Sequence, residues 1–304
     1  MTNKKQIFIR LGIFLLLSFG MTFAMFFIYI LTSGWTINSS WYGVISSAAM
    51  FCPAIANILT RLITKEGFSG SLFVMKFKGN IRYIAFALIF SVVCSIITAL
   101  CTCIFLLPSG SLEKMTRNID IPVFLSTILY VTALSIISML PGFGEEFGWR
   151  GYLTPKLEKL MPFPAAIVIS GIIWGLWHAP IVACGHNFGT NYAGFPWLGI
   201  ILMCISCIGF GLYLTALTRI TGSVLTASIA HISINNIIGA TSGAMLMSVD
   251  GYESISEKLS SGIEYPLLTM IVLFVMSITA GMVLLIIKKR KTKNTVSDNS
   301  KVKE

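Results

Sequence analysis

Charge is what this chain has least of. Only 12 of its 304 residues are Asp or Glu, and all charged residues together make up 11%. A soluble domain carries about 25%, so the two ordinary soluble domains that the length would allow are excluded. Strictly alternating polar and apolar runs are also lacking. Backbone groups in lipid must hydrogen-bond among themselves, which leaves either closed barrels or helices, and the missing alternation leaves helices. Histidine is scarce, with three in all, and no internal repeat is visible. What fills the chain instead is apolar: 55% of residues are hydrophobic and the mean hydropathy is +0.84. The expected fold class is all-α, a polytopic membrane protein.

About eight transmembrane helices are expected, since a stretch of about 20 apolar residues crosses the hydrocarbon core. They fall near Leu11–Leu31, Tyr42–Leu62, Tyr83–Leu107, Pro122–Leu140, Pro164–Cys184, Trp197–Thr218, Ser223–Met247 and Tyr265–Ile287. The second contains Pro53, and the fourth can run on through Pro141-Gly142 into the polar stretch that follows. Residues 1–287 then form one helical membrane domain, and residues 288–304 a basic tail expected to be cytoplasmic and, being polar, disordered. The apolar run after Lys4, Lys5 and Arg10 is long for a signal sequence and lacks a small-residue cleavage site, so it is expected to be a retained span.

Basic residues are unevenly divided among the connecting segments. With both termini in the cytoplasm, 19 of the 22 Lys and Arg lie inside, and only Lys114, Arg117 and Lys258 lie outside. Cytoplasmic loops carry such an excess. The net charge of +10 is therefore read as orientation and attraction to anionic lipid, not nucleic-acid binding. The Lys- and Ile-rich character points to a bacterial cell membrane. The seven cysteines all fall within spans; Cys204 and Cys207 make a CxxC, but inside an apolar helix with no second pair nearby they read as small buried hydrophobes.

The informative residues in such a chain are the polar ones at depth. A charge near the bilayer centre costs roughly 2.5–3.5 kcal/mol on insertion scales, so it is retained for a reason. Three places stand out. In Glu145-Glu146-Phe147-Gly148-Trp149-Arg150, Glu146 and Arg150 share a helix face and can pair. Glu145 is turned about 100° away and is left free of that pair; a carboxylate in an apolar pocket suits a general base. An ordinary interfacial helix would carry the same residues. In Trp174-Gly175-Leu176-Trp177-His178, the histidine is either a functional group or a partner for an interhelical hydrogen bond, and Gly171 with Gly175 reads as close helix packing. His231 and Asn235 lie at i and i+4 on one face of the seventh span, where two donors can hold an anionic oxygen or simply bond a neighbouring helix. Counted from the nearer basic boundary, all three places lie roughly 14–22 Å deep at about 1.5 Å per residue. They are expected to meet in one cavity open to the cytoplasm. His186 is expected in an outer loop, solvated and apart from them.

Taken together these motifs resemble the CPBP family, which includes the type II CAAX prenyl endopeptidases and bacteriocin-processing proteins. The family pattern is EExxxR, FxxxH and HxxxN or HxxxD on successive helices. Here Trp174 stands where the family usually has Phe. The resemblance covers residues 140–239. It implies an intramembrane endopeptidase with its active site within the helix bundle. In that reading Glu145 activates the attacking water with help from His178. His231 and Asn235 stabilise the oxyanion, and Glu146 with Arg150 holds the geometry. The family is commonly labelled metalloprotease, and Glu145, His178 and His231 would be the ligands of a Zn²⁺ with an open position; Asn235 beside His231 favours the metal-free alternative. The expected partners are the bilayer and a membrane-associated peptide or protein. A non-catalytic self-immunity or scaffold protein on the same fold is the alternative. A transporter is the weaker one, since transporters commonly show repeated halves.

The topology is testable by thiol labelling on a cysteine-free background. A cysteine replacing Lys76 is expected to react with an impermeant maleimide only after the membrane is opened. Reaction in intact cells would reverse the orientation.

Overall fold

The computed structural model describes residues 4–72, 79–249, 259 and 262–301. Lys76, Lys78, Lys258 and most of the loop expected at Ser248–Glu264 lie outside these residues, as does the extreme end of the tail. The elements in chain order are α1 (Lys4–Ser33), α2 (Tyr42–Ala49), α3 (Cys52–Ile63), α4 (Ile81–Phe105), α5 (Ser111–Asn118), α6 (Ile121–Ile137) and α7 (Met139–Gly148). A π-helical turn (Trp149–Leu153) and α8 (Thr154–Leu157) follow, then α9 (Phe163–Trp177), α10 (Ala179–Val182), α11 (Trp197–Thr221), α12 (Val224–Leu246) and α13 (Glu264–Lys301). No strand occurs among the described residues. The chain is an all-α, multi-pass membrane protein.

All eight expected segments are helical, but not all are unbroken spans. Among the described residues six helical stretches are long and apolar enough to cross a membrane. They are Lys4–Ser33, Tyr42–Ile63, Ile81–Phe105, Trp197–Thr221, Val224–Leu246 and Glu264–Arg290. A seventh is added if α5 and α6, bent by 85° at their junction, count as one. The expected fifth span is short of this length because α9 stops at Trp177 and Pro180 opens the separate turn α10. The expected fourth breaks at Ser138 before α7 resumes. Proline removes a backbone donor and clashes with the turn before it, so breaks gather near Pro53, Pro141 and Pro180. The last helix continues to Lys301, past Ile287 and into the polar tail that composition expected to lack structure.

Two long helices organise the bundle. Helix α12 packs along α4, α6 and α7, while α11 packs along α9 and α13. Helices α1 and α3 lie against each other, and α3 lies against α7. Polar side chains pin these seams. Ser91 Oγ is 2.7 Å from Ser233 Oγ between α4 and α12. Asn236 donates to Ser135 and Ser138 where α6 ends, and Trp177 donates to Thr22 across to α1.

Small residues let the site-bearing helices approach their supports. A Cβ on Gly175 would lie 2.4 Å from Cys204 Cα, and one on Gly171 2.6 Å from Ile208 Cα, so the GxxxG of α9 is a close seam against α11. A Cβ on Gly148 would lie 2.3 Å from Pro53 Cβ, which brings α7 onto the break between α2 and α3. In lipid, where apolar contact with another helix gains nothing over contact with acyl chains, such backbone approach is a main source of helix association.

Gly175→Leu is therefore expected to lower stability by about 1–3 kcal/mol or more through overpacking. The measurement is the unfolding midpoint in detergent; an unchanged midpoint would be incompatible with this seam.

Candidate active site

The acidic motif folds where α7 passes into the π-helical turn. Glu145 and Glu146 sit on the last turns of α7, and Arg150 on the π turn. All three are buried, Glu146 completely. Arg150 Nη1 donates to Glu146 Oε1 at 3.0 Å, the pairing expected from the i, i+4 spacing. The same oxygen also accepts from His231 Nδ1 at 2.9 Å. Glu146 thus ties the π turn to α12, which its spacing along the chain did not reveal. Arg150 further lies over the Trp174 ring, 4.1 Å from its centroid.

Glu145 stays clear of that pair, as expected, yet it has partners. Its Oε2 accepts from Trp149 Nε1 at 3.1 Å and from Trp174 Nε1 at 2.6 Å. Phe could not make the second bond, so the departure from the family pattern at Trp174 changes the chemistry as well as the packing. Both indoles were missed by sequence reasoning, although a buried indole N–H needs an acceptor. Trp149 stands at i+4 from Glu145, which was a usable signal. Trp174 joins from another helix, and nothing local marks it.

The two histidines have their inner nitrogens fixed. His178 Nδ1 lies 2.8 Å from the Trp174 carbonyl oxygen. A carbonyl only accepts, so Nδ1 carries the proton, and in the neutral ring Nε2 keeps its lone pair. His231 Nδ1 faces a carboxylate oxygen in the same way. Its Nε2 donates only when the ring is protonated on both nitrogens. Around them Trp174 lies within 6 Å, centroid to centroid, of both His178 (5.9 Å) and His231 (5.5 Å).

A cavity of about 270 Å³ joins these groups; Glu145, His178, His231 and Asn235 all line it. Asn235 is exposed at its edge, one helical turn beyond His231. Two expectations need correction. His186 is not set apart in solvent: the loop after α10 turns back at Gly185 (φ +101°) and Asn187 (φ +64°). His186 therefore lines the same cavity, 2.7 Å from Tyr42 Oη. Nor does the cavity reach the basic end of the bundle. Its remaining walls come from Thr22, Phe26, Ser46, Met203 and Cys207, all in the half of the bundle that also carries the His186 loop. Sequence could count depth, but it could not show which end is plugged.

The zinc alternative fits poorly. Among the described residues no three His, Cys, Asp or Glu side chains converge as a metal site. Glu145 Oε2 and both Nδ1 atoms are engaged within the protein, which leaves Glu145 Oε1 and the two Nε2 atoms as the remaining donors.

Comparison with known proteins falls on the same stretch of chain. A family profile described as type II CAAX prenyl endopeptidase, Rce1-like, matches residues 126–237, which hold all three motifs. Over those residues the chain is similar to that family. A curated relative, CAAX prenyl protease 2 of Methanococcus maripaludis, is 29% identical over 110 residues. The match covers 35% of this chain and 39% of the relative, so the chain spans about two fifths of that protein's length.

Arg150→Ala is expected to destabilise the fold by about 3–5 kcal/mol, because it leaves the buried Glu146 without its cation. Adding Glu146→Gln should recover a large part of that loss. Unfolding of the two single variants and the double variant measures the coupling; strictly additive effects would show that the two residues are not a pair.

Proposed function

We propose that this protein is an intramembrane endopeptidase that hydrolyses a peptide bond of a membrane-associated peptide or protein. The observation that carries the reading is Glu145. It is a buried carboxylate whose Oε2 is held by two indoles while it lines a cavity shared with two histidines. A carboxylate held in this way, with its second oxygen unclaimed, is suited to take a proton rather than to brace a fold.

The chemistry follows from the free atoms. One water can direct its two O–H bonds at two acceptors, Glu145 Oε1 and His178 Nε2. As the water oxygen bonds to the substrate's carbonyl carbon, Glu145 takes a proton and the carbonyl becomes an oxyanion. Asn235 Nδ2 donates to that oxyanion. His231, held through Nδ1 by Glu146, assists at the same oxyanion. The tetrahedral intermediate collapses as the C–N bond breaks, and Glu145 returns its proton to the leaving amine. The low-dielectric surroundings strengthen each of these interactions. No step needs a metal. Arg150 and Glu146 position His231 without touching substrate.

With both termini on the cytoplasmic side, as the basic residues favour, the bundle lies in the cell membrane with its substrate in or at the bilayer.

Substitutions separate the roles. Glu145→Gln keeps shape and hydrogen bonding but removes basicity, so proteolysis of a membrane substrate should be abolished at normal expression and stability. Asn235→Ala should retain activity reduced by about 10²–10³, the usual effect of losing one oxyanion donor. Full activity in Glu145→Gln together with loss in a well-folded Glu146→Gln would exchange the two glutamates' roles. A biological phenotype indifferent to both changes would mean a non-catalytic scaffold.

A further inference from the structure

The two ends of the bundle differ in construction. At one end, polar side chains are laced together beneath the site. Glu66, in the turn after α3, accepts from Tyr152 at 3.1 Å and pairs with Lys156 and with Arg10. Arg61 donates to Asn57 and to the Gly67 carbonyl, and lies over the Tyr152 ring. Arg219 pairs with Glu158 at the same end. Along the chain between Glu145 and Lys156, Phe147, Trp149 and Leu153 are all buried. No cavity-lining residue comes from this layer.

At the other end the site is open. The cavity runs from Glu145 and His231 past Met203 and Ser46 to His186 and Asn187. Asn187 is exposed. Apart from Glu145, this lining holds no Asp, Glu, Lys or Arg; its polar groups are histidines, amides, hydroxyls and a thiol. A neutral polar mouth above a carboxylate accommodates a peptide backbone, which presents donors and acceptors but no charge.

The plugged end is also the basic end. Arg10, Arg61, Lys156, Arg219 and Lys288 all belong to it, with Lys288 Nζ donating to the Arg219 carbonyl. Basic residues of this kind stay on the cytoplasmic side. We infer that the cavity opens to the opposite, extracytoplasmic face, and that its substrate is a peptide or polypeptide segment presented there, not a C-terminus arriving from the cytosol. The substrate class rests on the endopeptidase reading above; the direction of opening does not.

Impermeant-maleimide labelling of the full chain in its native membrane separates the two. Native cysteines are replaced, and single cysteines are placed at Asn187 and, as a second position on the exposed part of the same loop, Thr190. A third is placed at Lys159, exposed at the basic end. Asn187→Cys and Thr190→Cys should label in intact cells, and Lys159→Cys only in inverted vesicles. If Asn187→Cys and Thr190→Cys react only in inverted vesicles, the cavity faces the cytoplasm and the inference is overturned, whatever the enzyme does. If they label from outside while Glu145→Gln leaves proteolysis unchanged, the direction of opening stands and the protease reading fails with its substrate class.

Discussion

The structure depends on one oxygen atom. Glu146 Oε1 receives both Arg150 and His231 in a place from which water is excluded. Taking an isolated carboxylate there would be prohibitive, so the carboxylate and its two partners form as a unit or not at all. That unit fixes the π turn against α12. It therefore fixes the direction of Glu145, one residue earlier, and the height of His231, which carries Asn235 with it. Two adjacent glutamates thereby divide their labour. One is spent on holding the frame, and the other is held by neutral indoles and keeps an oxygen free.

Close backbone approach supplies the second requirement. The site draws on α7, α9 and α12, with walls from α1, α2 and α11. Bringing so many helices around about 270 Å³ needs thin interfaces at the right heights. Glycine provides them on α9 at Gly171 and Gly175, and on α7 at Gly148. The breaks at Ser138 and at His178 serve the same end. A helix that stops inside the membrane exposes its last backbone groups and any side chain at the stop, and His178 sits at such a stop, capping α9.

Much of this was legible in the sequence, and the boundary is physical. Helical class, the number of apolar segments and the Glu146–Arg150 pairing follow from composition and from the i, i+4 rule, which are local. The meeting of Glu145, His178 and His231 followed from depth and from the cost of polar groups in lipid, applied three times. What escaped was non-local. His231 reaching Glu146 and Trp174 reaching Glu145 both depend on which faces of α9 and α12 turn inward, and helical periodicity in a nearly uniform apolar sequence does not say. His186 was misjudged for a related reason: a loop residue is solvated by default, and its long-range approach to Tyr42, which half-buries it at the cavity, is not visible locally. The span count was blurred where proline breaks a segment into pieces that composition still reads as continuous.

Trp174 has one more consequence. It and Trp149 both place an indole N–H on the carboxylate taken here as the proton acceptor. The energies of indole's electronic transitions shift with the field of a nearby charge. Each time that carboxylate gains or loses a proton, two of the chain's six tryptophans feel the change directly. The proposed mechanism thus comes with a native optical probe of its proton acceptor, one that a phenylalanine at the same position would not provide.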